Sequence, residues 1–196
     1  NHTLVRKDKT MSNTNNVYAD NDKRMLILSD DIDNCSIAKV MFNLLFILHI
    51  DDEREAKEIN FKREPIKLYI NSDGGEVYDM WGLIDIMLNS KTPIHTYCTG
   101  HAMSAGFFIF LAGHKRFCYK HSTFLHHNPS FYHHGKYADM LEKRTEVDHI
   151  NMQIEQFVSE RTNISKEDIQ TIRNLKQDFY IHSDKAIEYK IVDEVL

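Results

Sequence analysis

The chain has 196 residues, 42% hydrophobic and 27% charged, with a formal net charge of -5 at pH 7; this suits one globular domain with a sizeable core. Its pI near 6.2 gives no basic footprint for nucleic acid. No run reaches the roughly 18 consecutive apolar residues of a membrane span, and the longest stretch, residues 40–50, is broken by Asn43 and His49 and reads as a buried helix.

In chain order, residues 1–23 are rich in Asn, Asp and Lys and poor in apolar residues, and read as a mobile arm. They lack the n-region and h-region of a secretory signal, so cytoplasm is the expected compartment, with an organellar stroma or matrix as the alternative. Residues 25–28 form a short strand. Asp33 then caps an apolar helix with Ile37, Val40, Met41, Leu44, Leu45 and Leu48 on its inner faces. Residues 51–64 read as a charge-rich loop. Ile66, Leu68 and Ile70 alternate with Lys67 and Tyr69, which predicts a second strand. After the turn Asp73-Gly74-Gly75, Val77, Met80, Trp81, Ile84 and Leu88 follow helical spacing.

Residues 94–99 make a third strand, leading into Gly100-His101-Ala102-Met103-Ser104-Ala105-Gly106 and a helix that Gly113 can end. Two short strands follow over 116–119 and 123–127. Residues 136–161 form a long helix with Met140, Leu141, Val147, Ile150, Ile154, Phe157 and Val158 facing inward. At 1.5 Å per residue it would reach about 39 Å, so it must project or pack against another subunit. Ser165 opens a short helix, Ser183 caps another, and 191–195 is a closing strand. Strands alternating with helices define an α/β class with crossover connections. Cys35, Cys98 and Cys118 read as reduced core thiols, not as a disulfide framework.

The chemistry centres on Ser104, which stands between small residues where a buried helix begins. Small neighbours admit a peptide to the hydroxyl, and a helix start supplies free N–H groups for an oxyanion. A serine that merely caps a core helix would have the same sequence. A nucleophile needs a base, and the base a carboxylate. His126 and His127 end a strand just before Asn128-Pro129; alternation sends them to opposite faces, and the second lies at the strand-to-loop edge, which favours His127. Asp178, a lone acid entering an aromatic segment, is the candidate carboxylate; a loop or cap aspartate is its plainer reading. Asp139, Asp148 and Asp168 fit helix surfaces. Gly74-Gly75 offers backbone N–H groups or an ordinary tight turn. His121, His126, His127, His133 and His134 fall close together but without zinc-ligand spacing, so no metal is expected.

Taken together, these segments resemble the proteolytic subunit of the Clp protease, the ClpP serine peptidase family, over residues 24–196. The landmarks run in order: Tyr-Ile-Asn-Ser-x-Gly-Gly at 69–75, Gly-x-Ala-x-Ser-x-Gly at 100–106, Arg116-Phe117-Cys118, His127 two residues before Pro129, Asp178, and the run 186–193. The resemblance implies a single-domain crotonase-like ClpP fold whose long helix is a handle. It implies Ser104 as nucleophile, His127 as general base and acid, and Asp178 as its orienting carboxylate. Gly75 and Ala105 N–H groups would form the oxyanion hole, and Gly74-Gly75 would pair with an extended substrate. Further implications are stacked heptameric rings forming a tetradecamer, the arm at an axial pore, an AAA+ unfoldase delivering unfolded chains, and ATP use by that partner, with no cofactor in this subunit. An inactive structural ring subunit and an acyl-CoA enzyme of the same superfold are the competing readings. Departures from the family pattern are Asp73 in place of proline, His126 in place of an aliphatic residue, Gln177 in place of arginine, and a longer 51–64 segment.

Overall fold

The computed structural model describes residues 17–129, 137–175 and 178–196. Residues 1–16, most of the expected arm, and Gln177 lie outside them. The arm reading is corrected at its end, because Val17–Asp20 form strand β1, antiparallel to β2 (Met25–Leu28). Arg24, in a left-handed conformation (φ 55°), closes the turn between them.

β2 continues in parallel to β3 (Ile66–Ser72), β4 (Ile94–Met103), β5 (Lys115–Cys118) and the short β8 (Glu194–Val195). The expected closing strand over 191–195 is thus reduced to two residues, with Ile191 and Val192 buried before it. At β4 the sheet forks. Its first half pairs with β5, while its second half turns to β6 (Thr123–His126), which pairs antiparallel with β7 (Phe179–His182). A bulge makes the fork: Ile70 pairs with Cys98 but Ser72 with Ala102, so β4 gains two residues over β3. Asn71 lies opposite the extra residues and its Oδ1 accepts the His101 N–H (3.2 Å).

Helix α1 (Asn34–Lys57) starts at Asp33, whose carboxylate accepts the Ser36 N–H at 2.7 Å while Ser36 Oγ returns to the Asp33 N–H. It runs through half of the expected loop. Pairs four residues apart, Arg54–Glu58 and Lys57–Glu53, hold its charged last turns. The fully buried Asp51 anchors them, taking Arg24 on both carboxylate oxygens (2.9 and 2.7 Å) and the Thr92 hydroxyl at 2.7 Å. Burial alone would raise the Asp51 pKa, but the Arg24 and Thr92 hydrogen bonds outweigh it and hold it low.

Ile37, Val40, Leu44 and Ile47 of α1 are buried on β1, β2 and α2 (Val77–Leu88). Leu45, expected inside, faces out with Phe42, Phe46 and Ile50. Among the described residues α1 is the one helix long and apolar enough to cross a membrane. Its buried stripe makes it a layer of the core, with a second apolar face left over.

Helix α3 (Ala105–Leu111) is buried throughout and packs on β4, β3, β6 and α2. Helix α4 (Tyr137–Arg161) buries Ile150, Ile154, Phe157 and Val158, whereas 143–149 are exposed apart from the half-buried Val147. The expected start at Lys136 and the side chains of Met140 and Leu141 lie outside the described residues. Ser165 caps α5 (Lys166–Leu175), accepting the Asp168 N–H at 3.0 Å. Ser183 does not cap α6 (Ser183–Glu188): His182 holds the cap position, and the Ser183 hydroxyl donates to the Lys120 carbonyl at 2.6 Å.

On the sheet face opposite α3, Tyr69, Tyr97 and Phe117 stack across three strands with ring centroids 4.7 Å apart. Cys98 and Cys118 are register partners, and burial pushes their thiols up to about 11 and about 12. Cys35 corrects the core-thiol reading, because it is exposed at the start of α1.

Candidate active site

Three strand ends meet at one point. β3 ends in Ser72 and the Gly74-Gly75 turn, β4 ends at Ser104, and β6 ends just before His127. Ser104 sits between strand and helix at φ 52° and ψ -122°, a conformation that costs a residue with a Cβ of order ~1–3 kcal/mol. It is held there from both sides. Its N–H donates to the Leu125 carbonyl of β6 at 2.9 Å, and its carbonyl accepts from Phe107 (3.0 Å) and Phe108 (3.3 Å).

The surrounding glycines allow close approach. A Cβ at Gly74 would come within 2.6 Å of Ser104 Cβ and 2.8 Å of the Met103 oxygen. One at Gly106 would press on Ser72 at 3.2 Å. Gly74 and Gly75 have φ of 107° and 147°, which L side chains rarely adopt. The turn bridges to Ile32: Ile32 N–H donates to the Gly74 carbonyl and Glu76 N–H to the Ile32 carbonyl, both 2.7 Å. The buried Ser72 hydroxyl accepts the Gly74 N–H at 3.1 Å. This pattern skips the Gly75 N–H. Neither it nor the Ala105 N–H donates to an acceptor among the described residues.

Gly75, Ser104, Ala105 and His127 line one cavity of about 80 Å³, closed by Val77, Met80, Phe108, Pro129 and Ile154. It brings together a hydroxyl, an imidazole and two unused N–H donors in a largely apolar recess. Such an arrangement can receive an apolar side chain and stabilise negative charge beside Ser104.

The two histidines part as strand alternation requires. His126 turns toward α3, 2% exposed, its ring 6.0 and 5.6 Å from those of Phe107 and Phe108. Burial, then repulsion from His127, pulls its pKa down to about 4, and its Nδ1 has no hydrogen-bond partner among the described residues. His127 is half-buried in the cavity.

Asp178 stands apart. It is exposed and does not line the cavity, and no hydrogen bond joins it to His127, or His127 to Ser104. Backbone register nevertheless relates them. Thr123 pairs with His182 and His126 with Phe179, so His127 and Asp178 are the residues that directly flank the last pair of this ladder. Gly74 packs on Ser104 and borders the cavity through Gly75. Asp148 and Asp168 are exposed on their helices, and the side chain of Asp139 lies outside the described residues. Among the described residues no group of His, Cys, Asp or Glu is placed to hold a metal ion; His133 and His134 lie outside them.

Sequence reasoning missed Ile32, Asn71 and Ser72 as supports of the turn. Asn71 and Ser72 directly precede it and offered a local signal. Ile32 offered none, because its bridge to Gly75 spans distant parts of the chain.

Comparison with known proteins supplies the context for this geometry. The sequence model of the Clp protease family matches residues 8–196. The chain is 32% identical over 177 residues to ATP-dependent Clp protease proteolytic subunit 1 of Prochlorococcus marinus subsp. pastoris, covering 89% of this chain and 84% of that protein. It is 31% identical to proteolytic subunit 2 of Parasynechococcus marenigrum, covering 89% and 83%. A solved ClpP1 point mutant from Listeria monocytogenes superposes with a TM-score of 0.75 at 25% identity, covering 90% of this chain and 92% of that one. The forked sheet with its helices is therefore a ClpP fold, and by sequence and architecture alike the chain belongs to the Clp protease family.

Proposed function

We propose that this chain is the serine endopeptidase subunit of a ring-shaped, self-compartmentalised protease. One observation carries the reading: Ser104, in a strained turn, shares a small apolar cavity with His127 and with the unused N–H groups of Gly75 and Ala105. In the proposed cycle His127 takes the Ser104 proton as Oγ attacks the scissile carbonyl. Gly75 and Ala105 N–H groups receive the oxyanion, and His127 returns the proton to the leaving amine. Water then releases the acyl-enzyme by the same route. Asp178 orients the imidazole, and the extended substrate pairs with Gly74-Gly75. Val77, Met80, Phe108 and Ile154 suit a compact apolar side chain before the cut bond.

Assembly and partner follow from the family. The outward face of α1 has Phe42 72% exposed, beside Leu45, Phe46 and Ile50, an apolar surface that a neighbouring subunit of a heptameric ring would cover. The exposed stretch of α4 suits a handle between two such rings, and an AAA+ unfoldase would feed unfolded chains and use the ATP.

A second reading, an inactive structural ring subunit, draws on the exposed Asp178 and the missing hydrogen bonds. Fluorophosphonate labelling of the assembled protein separates the two. Ser104 should label, and Ser104→Ala should abolish peptide turnover while the native mass is retained. No adduct on Ser104 in a correctly assembled ring, or full turnover by Ser104→Ala, rejects the peptidase.

A further inference from the structure

The part of the proposed site with the least intrinsic stiffness is the turn that presents the Gly75 N–H. It consists of two successive residues without Cβ, both at positive φ. Its backbone hydrogen bonds run to Ile32 and to Ser72. Neither crosses to β4, the strand that aims Ser104.

One side-chain pair crosses that gap: Asp73, immediately before Gly74, and His101, three residues before Ser104, with Nε2 and Oδ1 3.1 Å apart. The two ends differ in freedom. His101 belongs to β4, its N–H held by Asn71 and its backbone in register with Thr123 of β6, and its side chain is 30% exposed. Asp73 is 76% exposed and follows the last residue of β3. An imidazole carried on a fixed backbone therefore restrains a loose carboxylate, and with it the turn.

We propose that Asp73 and His101 are a positioning pair that sets the Gly75 N–H against Ser104. They touch neither substrate nor the reacting atoms. The pair acts through the oxyanion hole, so its effect is felt when the carbonyl oxygen gains charge. It therefore changes kcat and leaves KM alone. The inference rests on the peptidase reading of the Ser104 cavity.

The test compares the assembled full chain with His101→Ala, Asp73→Asn and the double variant. Two rates are measured, turnover of a fluorogenic peptide and covalent labelling of Ser104 by a fluorophosphonate, whose phosphoryl oxygen occupies the oxyanion hole. For a partly exposed polar pair each single substitution should lower both rates about two- to fivefold, with KM and the thermal midpoint unchanged. The double variant should fall no further than either single one, because both remove the same contact. Multiplied losses in the double variant, a change confined to KM, or unchanged rates in variants whose parent labels normally would overturn the pairing alone. A parent that does not label at Ser104 would overturn the peptidase reading, and this inference with it.

Discussion

The two halves of the site are made differently. The half around Ser104 is a product of backbone: a strained turn, two glycines that fit only without side chains, and N–H groups left over by the strand pairing. The Asp178 half is a single exposed side chain, related to His127 by ladder register and by no hydrogen bond. At Ser104 such geometry is fixed once the sheet forms, while the glycine turn beside it keeps some freedom. A side chain of the second kind still has rotamers to choose among, and assembly can bias the choice.

The sharpest way to break the comparison is Gly75→Ala. A new Cβ would collide with the Ile32 carbonyl, and the residue would be strained at φ 147°. If the Gly75 N–H receives the oxyanion as proposed, displacing it should lower kcat by about 10²- to 10³-fold, read by peptide turnover at unchanged native mass. Near-parent turnover would show that the turn is not part of the machinery.

Asp178→Asn tests the looser half. If Asp178 orients His127 as proposed, the substitution in the assembled protein should lower kcat by about a hundredfold. Turnover equal to the parent's would mean that Asp178 stays apart from His127 throughout the cycle.

The smallest effect on activity belongs to His126, whose consequence lies in stability. Its folded pKa of about 4 is below the ordinary 6.5, so as the pH falls the unfolded chain binds the proton first. The stability is complete above about 6.5 and lost progressively down to about 4, a difference of about 3 kcal/mol. His126→Leu should retain neutral-pH turnover and flatten the decline of the thermal midpoint across that window. An unchanged decline would place the acid sensitivity elsewhere.

Much of this was legible in the sequence because it depends on local pattern. Alternation parted His126 from His127, and small residues marked the strand-to-helix turn at Ser104. The errors have other causes. The last turns of α1 look like a loop until Arg24, far away in the chain, is seen on Asp51. β1 is a four-residue segment at the end of a polar stretch until β2 pairs with it. Ser183 looks like a cap, but its hydroxyl is taken by Lys120. Leu45 reads as an inner residue because α1 has more apolar residues than one buried stripe can use. For Asp51 and Ser183 the deciding partner lies outside the window that periodicity examines.

The pairing of β6 with β7 has an evolutionary consequence. Helices α4 and α5 lie between these strands in the chain, yet the backbone register that relates residue 127 to residue 178 is set by the strands themselves. Relatives can therefore lengthen, shorten or re-dress those helices, and so alter how subunits meet, without touching the chemistry. One inserted residue between 178 and 182 is different: it would turn that strand's side chains to the opposite face and break the register between residues 127 and 178.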